Sequence, residues 1–429
     1  MSQRSRSVRR KKPSKLKSFA LIVASVLAVG IVGGVAANYV NNNHNPFTLD
    51  GTSKKVVGFT GLTNSSGVLT YTGDFAQYNN LTDNDGKEVD TVYTLTATST
   101  YVEMSSPLDN EWPYSQIKTV KDKYNNSFTA FPVMYMSYSY NAAGYLDGVS
   151  FANYKVDSSY FISDAYLNQD GSGKYNDYFY IGQFEGSTKD SKLASVASAT
   201  PTVNVTREES RTLARAYGKS SNYYNGYQQM DITMWNMYGL LTSMYLKTSD
   251  VQSVYAGPTD LSAAVLTGTT SPIAGLNGWN TSTHAVKFLG IENAYGSVWE
   301  WCDGITFAGT SIYYTSNPNN YSDKHDDTVD VVVEFDRPTT SGYVELLKTG
   351  TSSATQSVIL SAYTVSASTG EYEDDGYWYN QDGTVLCVGG YWNDGSEAGL
   401  WCFYGNYAAS SSSAHVGARL CGRSLSGVA

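Results

Sequence analysis

Two short apolar runs near the carboxyl terminus, residues 385–388 and 416–421, bracket a stretch with no buried-face periodicity. The first is a continuous Val-Leu-Cys-Val run. In the second, Val416, Ala418 and Leu420 alternate with Gly417, Arg419 and Cys421, the period of two expected of a strand. The residues between them are mostly Tyr, Ser, Asn, Gly and Ala, too irregular to predict a packed element and too many for an ordinary connection. Long loops pinned at both ends by strands commonly carry function. With Tyr391, Trp392, Trp401, Phe403, Tyr404 and Tyr407 inside it, this one reads as a displayed binding surface.

Upstream, short β-like runs recur from about residue 56 to 104, separated by turn clusters such as Asn84-Asp-Gly86. Phe131-Pro-Val-Met-Tyr-Met-Ser-Tyr-Ser-Tyr140 alternates as a strand, and Asn176-Asp-Tyr-Phe-Tyr-Ile-Gly-Gln-Phe-Glu185 reads as a more deeply buried one. Two helices come next. Thr206-Arg-Glu-Glu209 is a capping box that opens the first, through about Tyr217. Asp231 caps the second, in which Trp235, Tyr238, Leu241 and Leu246 form an apolar stripe. Strand patterns then dominate from Ala285 onward. Strands, two helices and strands again predict an α+β domain.

Charge divides the chain. Eight lysines and arginines precede Asp50, the first acidic residue, whereas the whole chain carries a net charge of −10. An acidic body repels a nucleic-acid backbone, so no nucleic-acid partner is expected. The basic head is followed at once by an apolar run, residues 19–37, long enough to cross a bilayer. Cations ahead of such a span hold that end in the cytoplasm. A small-x-small site at Val35-Ala36-Ala37 allows a cleaved signal peptide, but the length of the run favours a retained anchor. The expected organisation is a basic cytoplasmic tail (1–18), a transmembrane anchor (19–37), a stalk with a small β-rich segment (38–127) and a ligand-binding domain (128–429). The expected localisation is the cell membrane, single-pass, with the C-terminal domain extracellular. Tyr (36) and Gly (39) are abundant; together with Ser and Asn they are the residues that make adaptable recognition surfaces.

Catalytic chemistry finds little footing. The four cysteines, Cys302, Cys387, Cys402 and Cys421, include no CxxC pair, and the four histidines are scattered. A Cys402–His415 nucleophile is outweighed by the reading of two unrelated loop residues. Asp83-Asn-Asp-Gly86 begins like a Ca²⁺ loop, but Lys87 and the missing terminal Glu spoil it. Glu371-Tyr-Glu-Asp-Asp375 reads as a solvated acidic turn. Trp299 and Trp301 share one strand face and read as core, with Glu300 opposite them as a hydrogen-bonded structural carboxylate. No enzyme activity, metal or cofactor is expected.

Ile291-Glu-Asn-Ala-Tyr-Gly-Ser-Val-Trp-Glu-Trp-Cys302, Val385-Leu-Cys-Val-Gly-Gly-Tyr-Trp392 and Val416-Gly-Ala-Arg-Leu420, in that order, resemble the formylglycine-generating-enzyme-like branch of the C-type lectin fold. Ser297 stands where that branch has Asn, and Ala418 where it has Phe. Within the branch, Gly389-Gly-Tyr-Trp-Asn-Asp-Gly-Ser396 and Ala408-Ala-Ser-Ser-Ser-Ser-Ala-His-Val-Gly-Ala-Arg-Leu420 resemble the variable proteins of diversity-generating retroelements. The resemblance implies a C-type-lectin-like domain with two helices and irregular β-sheets, and a variable region at about 385–421. There, constant small residues and Trp form a scaffold and former Asn positions form the ligand surface. Carried over position by position, the diversified, ligand-binding residues are Tyr391, Asp394, Glu397, Cys402, Tyr404, Tyr407, Ser411, Ser413 and His415. The implied partner is a protein or glycan on another cell or particle.

Overall fold

The computed structural model describes residues 53–428, apart from 65–66, 82–91, 169, 171, 221–222, 225, 367–373, 382–384 and 426. These residues fall within one unit running from Pro46 to Ala429. The architecture is predominantly β, which corrects the α+β expectation: sheets carry the core, and only two α-helices are present among the described residues. The helices are legible because their caps are local signals, whereas strands of two to four residues leave almost no periodicity to read.

Both caps form. The Thr206 hydroxyl accepts from Glu209 N at 3.2 Å, and the Glu209 carboxylate accepts from Thr206 N at 2.8 Å, opening α1 (Arg207–Arg215). Asp231 accepts from Thr233 N and Met234 N to open α2 (Ile232–Leu246). Every residue of α2 is buried, Asn236, Thr242 and Ser243 included, so the expected single stripe is wrong: the helix is surrounded. Gly239 lets it approach β-structure closely, since a Cβ there would lie 3.4 Å from the Trp401 ring.

The sheet that matters most has seven strands: β1 (Trp299–Cys302), β2 (Gly342–Thr349), β3 (Ile359–Val365), β4 (Gly376–Tyr379), β5 (Leu386–Gly389), β6 (Gly399–Gly405) and β7 (Val416–Gly417), in the spatial order β3-β2-β4-β6-β5-β1-β7. The run expected to be one displayed loop therefore contains β6, an interior strand. Leu400, Trp401, Cys402 and Phe403 are buried because α2 covers one face of β6 and an aromatic layer covers the other. The final strand is likewise split, into β7 and Leu420–Gly422, and both of its faces are buried.

Leu420–Gly422 lies between Tyr227–Gln229 and Tyr178–Gly182 in a five-stranded sheet. Val56–Thr60 pairs with Leu146–Ala152, and Tyr101–Ser105 pairs with Asn277–Asn280. The segment before residue 128 thus shares sheets with strands from the C-terminal part of the chain.

Among the described residues no helix is long and apolar enough to cross a membrane, and this corrects the expectation of a transmembrane helix and of a single-pass membrane localisation. The basic tail and the apolar run at residues 19–37, like the Asp83–Gly86 turn, lie outside the described residues. All four cysteines are unbridged and buried.

Candidate functional site

Strand register builds the site. Trp301 is opposite Cys387, Cys387 opposite Tyr404, and Tyr404 opposite Trp378, so one row of side chains crosses β1, β5, β6 and β4 on a single face. Trp299 joins it two residues from Trp301. Trp299 meets Trp378 edge-on at 5.5 Å and Tyr404 at 5.2 Å, while Trp301 meets Tyr407 at 5.9 Å. Trp299 and Trp301 are buried, as the sequence predicts for core residues; Trp378, Tyr404 and Tyr407 are half-buried at the outer edge of the layer.

Two loops close over this layer. The first, after β5, carries Tyr391, Asp394 and Glu397. Its backbone is tied down by Trp392 N to Ser297 O (3.1 Å), Leu261 N to Trp392 O (2.7 Å) and Gly395 N to Thr259 O (2.8 Å). Asp394 caps the turn by accepting from Tyr391 N at 2.9 Å. The second, between β6 and β7, carries Tyr407, Ser411, Ser413 and His415, and is anchored by Asn204 N to Ser413 O (2.9 Å) and Trp299 N to His415 O (2.8 Å).

The loops meet through their side chains. The Tyr391 ring lies 4.4 Å from His415, and Tyr404 lies 4.6 Å from Tyr407. The Tyr407 hydroxyl is 3.0 Å from His415 Nε2, and the Ser413 hydroxyl is 3.1 Å from the same ring. Burial lowers the His415 pKa, so the ring is neutral at neutral pH. The structure thus brings Tyr391, Tyr404, Tyr407, Ser413 and His415 into one aromatic and hydroxyl-bearing patch. Ser411 sits apart, in the turn closed by Ser411 N to Ala408 O. Asp394 and Glu397 form an acidic edge.

Cys402 does not reach the patch. It occupies the same face as Tyr404, two residues along β6, but the first loop covers it and its thiol donates to the Glu397 carbonyl at 2.8 Å. Burial raises its pKa well above the ordinary thiol value, which leaves it a protonated packing group. The eight other candidate positions are all half-buried.

Sequence reasoning missed Trp378 and Tyr343, which reach the patch from β4 and β2. Tyr343 meets the Glu397 carboxyl at the acidic edge. The alternating Gly376-Tyr-Trp-Tyr379 was the available signal for Trp378; nothing local points to Tyr343. Asp375 was expected in a solvated turn and is instead buried, its carboxyl accepting from Trp401 N at 2.7 Å. A neighbouring Gly399 makes room for that carboxyl.

Burial pushes the Asp394 carboxyl up to about 7, opposed by the Tyr391 N–H and reinforced by Glu397. A carboxyl raised in the folded state keeps its proton where the unfolded chain has lost it. Its contribution to stability is therefore full below about pH 4 and is lost as the pH rises through about 7. Asp394→Asn is expected to flatten the dependence of Tm on pH across that window. Equal slopes in thermal melts of the two proteins would refute the assignment.

No family model matches this chain, and no curated protein does. Among solved structures the chain is similar to "Major Tropism Determinant U1 Variant", at 15% identity over 77% of this chain and 73% of that chain, with a TM-score of 0.27. A likeness that distant carries no weight here, and the site stands on its own geometry.

Proposed function

We propose that the chain is a ligand-binding protein whose recognition surface is the patch around Tyr391, Tyr404, Tyr407, Ser413 and His415, and that these positions are diversified by a retroelement. One observation carries the reading. Of the motif residues that the resemblance makes constant, Gly389, Gly390, Val416, Gly417, Ala418, Arg419 and Leu420 are buried and frame the site, whereas eight of the nine positions it makes variable are half-exposed on β6 and on two hydrogen-bonded loops, among constant Ala and Ser positions that are exposed as well. Such a division lets side chains change without disturbing the frame. Recognition is non-covalent, through flat aromatic area that freezes few bonds on contact and through hydroxyl and imidazole groups at the rim. The partner class is a protein or a glycan. No turnover is proposed: the Cys402 thiol is committed to Glu397 O and His415 to Tyr407 and Ser413.

Sequencing this gene across a natural population tests the reading. Substitutions are expected to concentrate at the eight exposed codons and to spare Gly389, Gly399 and Trp401. Uniform or absent variation would reduce the patch to a fixed binding surface. For a ligand recovered by panning a random peptide library on the full chain, Tyr391→Ala and Tyr407→Ala should each weaken binding by about 1–3 kcal/mol. Trp299→Ala should instead destabilise the fold by about 3–5 kcal/mol, seen in denaturant titration, because its ring is core.

A further inference from the structure

Between Lys348 and Arg419 the chain contains no lysine or arginine, but it contains seven acidic residues. That stretch supplies β3 to β7 and both loops of the patch, so the face is built from sequence whose fixed charge has one sign. The cations that approach it from elsewhere are buried and engaged. Arg337 donates to Gly405 O at 3.1 Å and Asn380 O at 3.0 Å. It lies on the face of β6 opposite Tyr404, where a Cβ on Gly405 would meet its Nη1. Arg207 is buried with its Nε on Asp303 at 2.9 Å.

Four carboxyls, by contrast, edge the patch. Asp394 and Glu397 belong to the first loop, and Asp260 is exposed between Thr259 and Leu261, both hydrogen-bonded to that loop. Asp374 is half-buried and acts on both Tyr343 and Glu397. Burial raises the Tyr404 pKa and the Asp394 charge adds to it, which sets that carboxyl beside the ring layer. Among the described residues none of the four is in an ion pair. Half-exposed rings beside unanswered carboxyls suit one side chain above others. A guanidinium stacks flat on an aromatic ring while its fork of N–H groups pairs with a carboxylate. A neutral sugar stacks but brings no charge to answer the acids. Resting on the reading of this patch as the recognition surface, we infer that the partner is a protein with a basic, arginine-bearing segment. It docks in the seam between the rings of Tyr391, Tyr404 and Tyr407 and the Asp394–Glu397 edge. The net charge of −10 steers such a segment in and turns acidic partners away.

Short random peptides panned on the full chain at low salt test this, at about pH 8 so that Asp394, with its pKa of about 7, is ionised. Recovered sequences should be enriched in arginine about fivefold over the library and depleted of acids. For the best binder, combining Asp394→Asn with Glu397→Gln should lower affinity about tenfold. Both changes keep an acceptor for the Tyr391 N–H and the Tyr343 hydroxyl. Replacing the peptide arginine by glutamine should cost as much on the native chain and little more on the double variant. Tyr391→Ala separates the two readings. If it leaves binding unchanged, the patch is not the recognition surface and both fall. If it weakens binding while the recovered peptides are neutral or acidic, or bind the double variant equally well, the patch stands and the basic partner is overturned. Preferential capture of neutral oligosaccharides on a glycan array would overturn it as well.

Discussion

Gly399→Ala is expected to prevent the C-terminal face from forming in its native geometry. A Cβ at this position would lie 1.8 Å from Asp375 Oδ1 and 2.4 Å from its Cγ, far inside contact distance. The carboxyl has little freedom to retreat, since Asp375 is buried and its Oδ2 accepts from Trp401 N at 2.7 Å. Either the Trp401 N–H loses its acceptor or β6 moves away from β4, and β6 carries Tyr404. Overpacking of this kind costs about 3 kcal/mol at its upper end, and loss of a buried hydrogen bond adds about 1–3 kcal/mol. Urea denaturation should show the loss directly. Gly395→Ala is the control: nothing lies within 4 Å of its Cβ, and only its φ of +61° opposes a side chain. That strain is worth about 1–2 kcal/mol. An unchanged midpoint for Gly399→Ala would show that the Asp375 carboxyl is mobile and the face is not rigidly framed.

The second large effect is at Arg419. Its Nε and Nη2 donate to Glu300 Oε1 at 2.8 and 2.5 Å, and its remaining N–H groups serve Gly182 O at 3.0 Å and Glu292 O at 2.9 Å. Both side chains of the pair are essentially inaccessible to water. Arg419→Met would strand a buried carboxylate and two carbonyls, a loss of about 3–5 kcal/mol. Glu300→Leu alone should be similarly damaging through the uncompensated guanidinium. The two together are expected to recover part of the stability, because an apolar pair removes both charges at once. A double variant no better than the worse single one would place the value of Arg419 in its carbonyl contacts rather than in its charge.

These two sites show what the sequence made legible. Glu300 was readable as a structural carboxylate from its place opposite two tryptophans, but its partner lay 119 residues away and only topology joins them. Arg419 read only as one of the residues alternating with Val416, Ala418 and Leu420, whereas its side chain is buried against Glu300 and the Gly182 and Glu292 carbonyls. The capping signals of Thr206, Glu209 and Asp231 are short-range and were read correctly. Tyr391 and His415 stand within the two motifs, and the structure sets them beside Tyr407 and Tyr404. Cys402 was expected among the ligand-binding loop residues, but it lies in strand β6, buried under the first loop with its thiol on Glu397 O. Trp378 and Tyr343 escaped because they enter the patch through strand register, a property that pairs distant segments. The membrane expectation came from the basic head and the apolar run at residues 19–37, which lie outside the described residues, and no helix among the described residues is long and apolar enough to cross a membrane.

The strand Leu420–Gly422 fills the middle of its sheet, and Arg423 behind it donates to Asp231, the residue that opens α2, at 2.8 Å. Tyr227–Gln229 joins the rest of that sheet through this strand alone, so pairing it closes the sheet and supplies the counter-charge of the α2 cap in the same event.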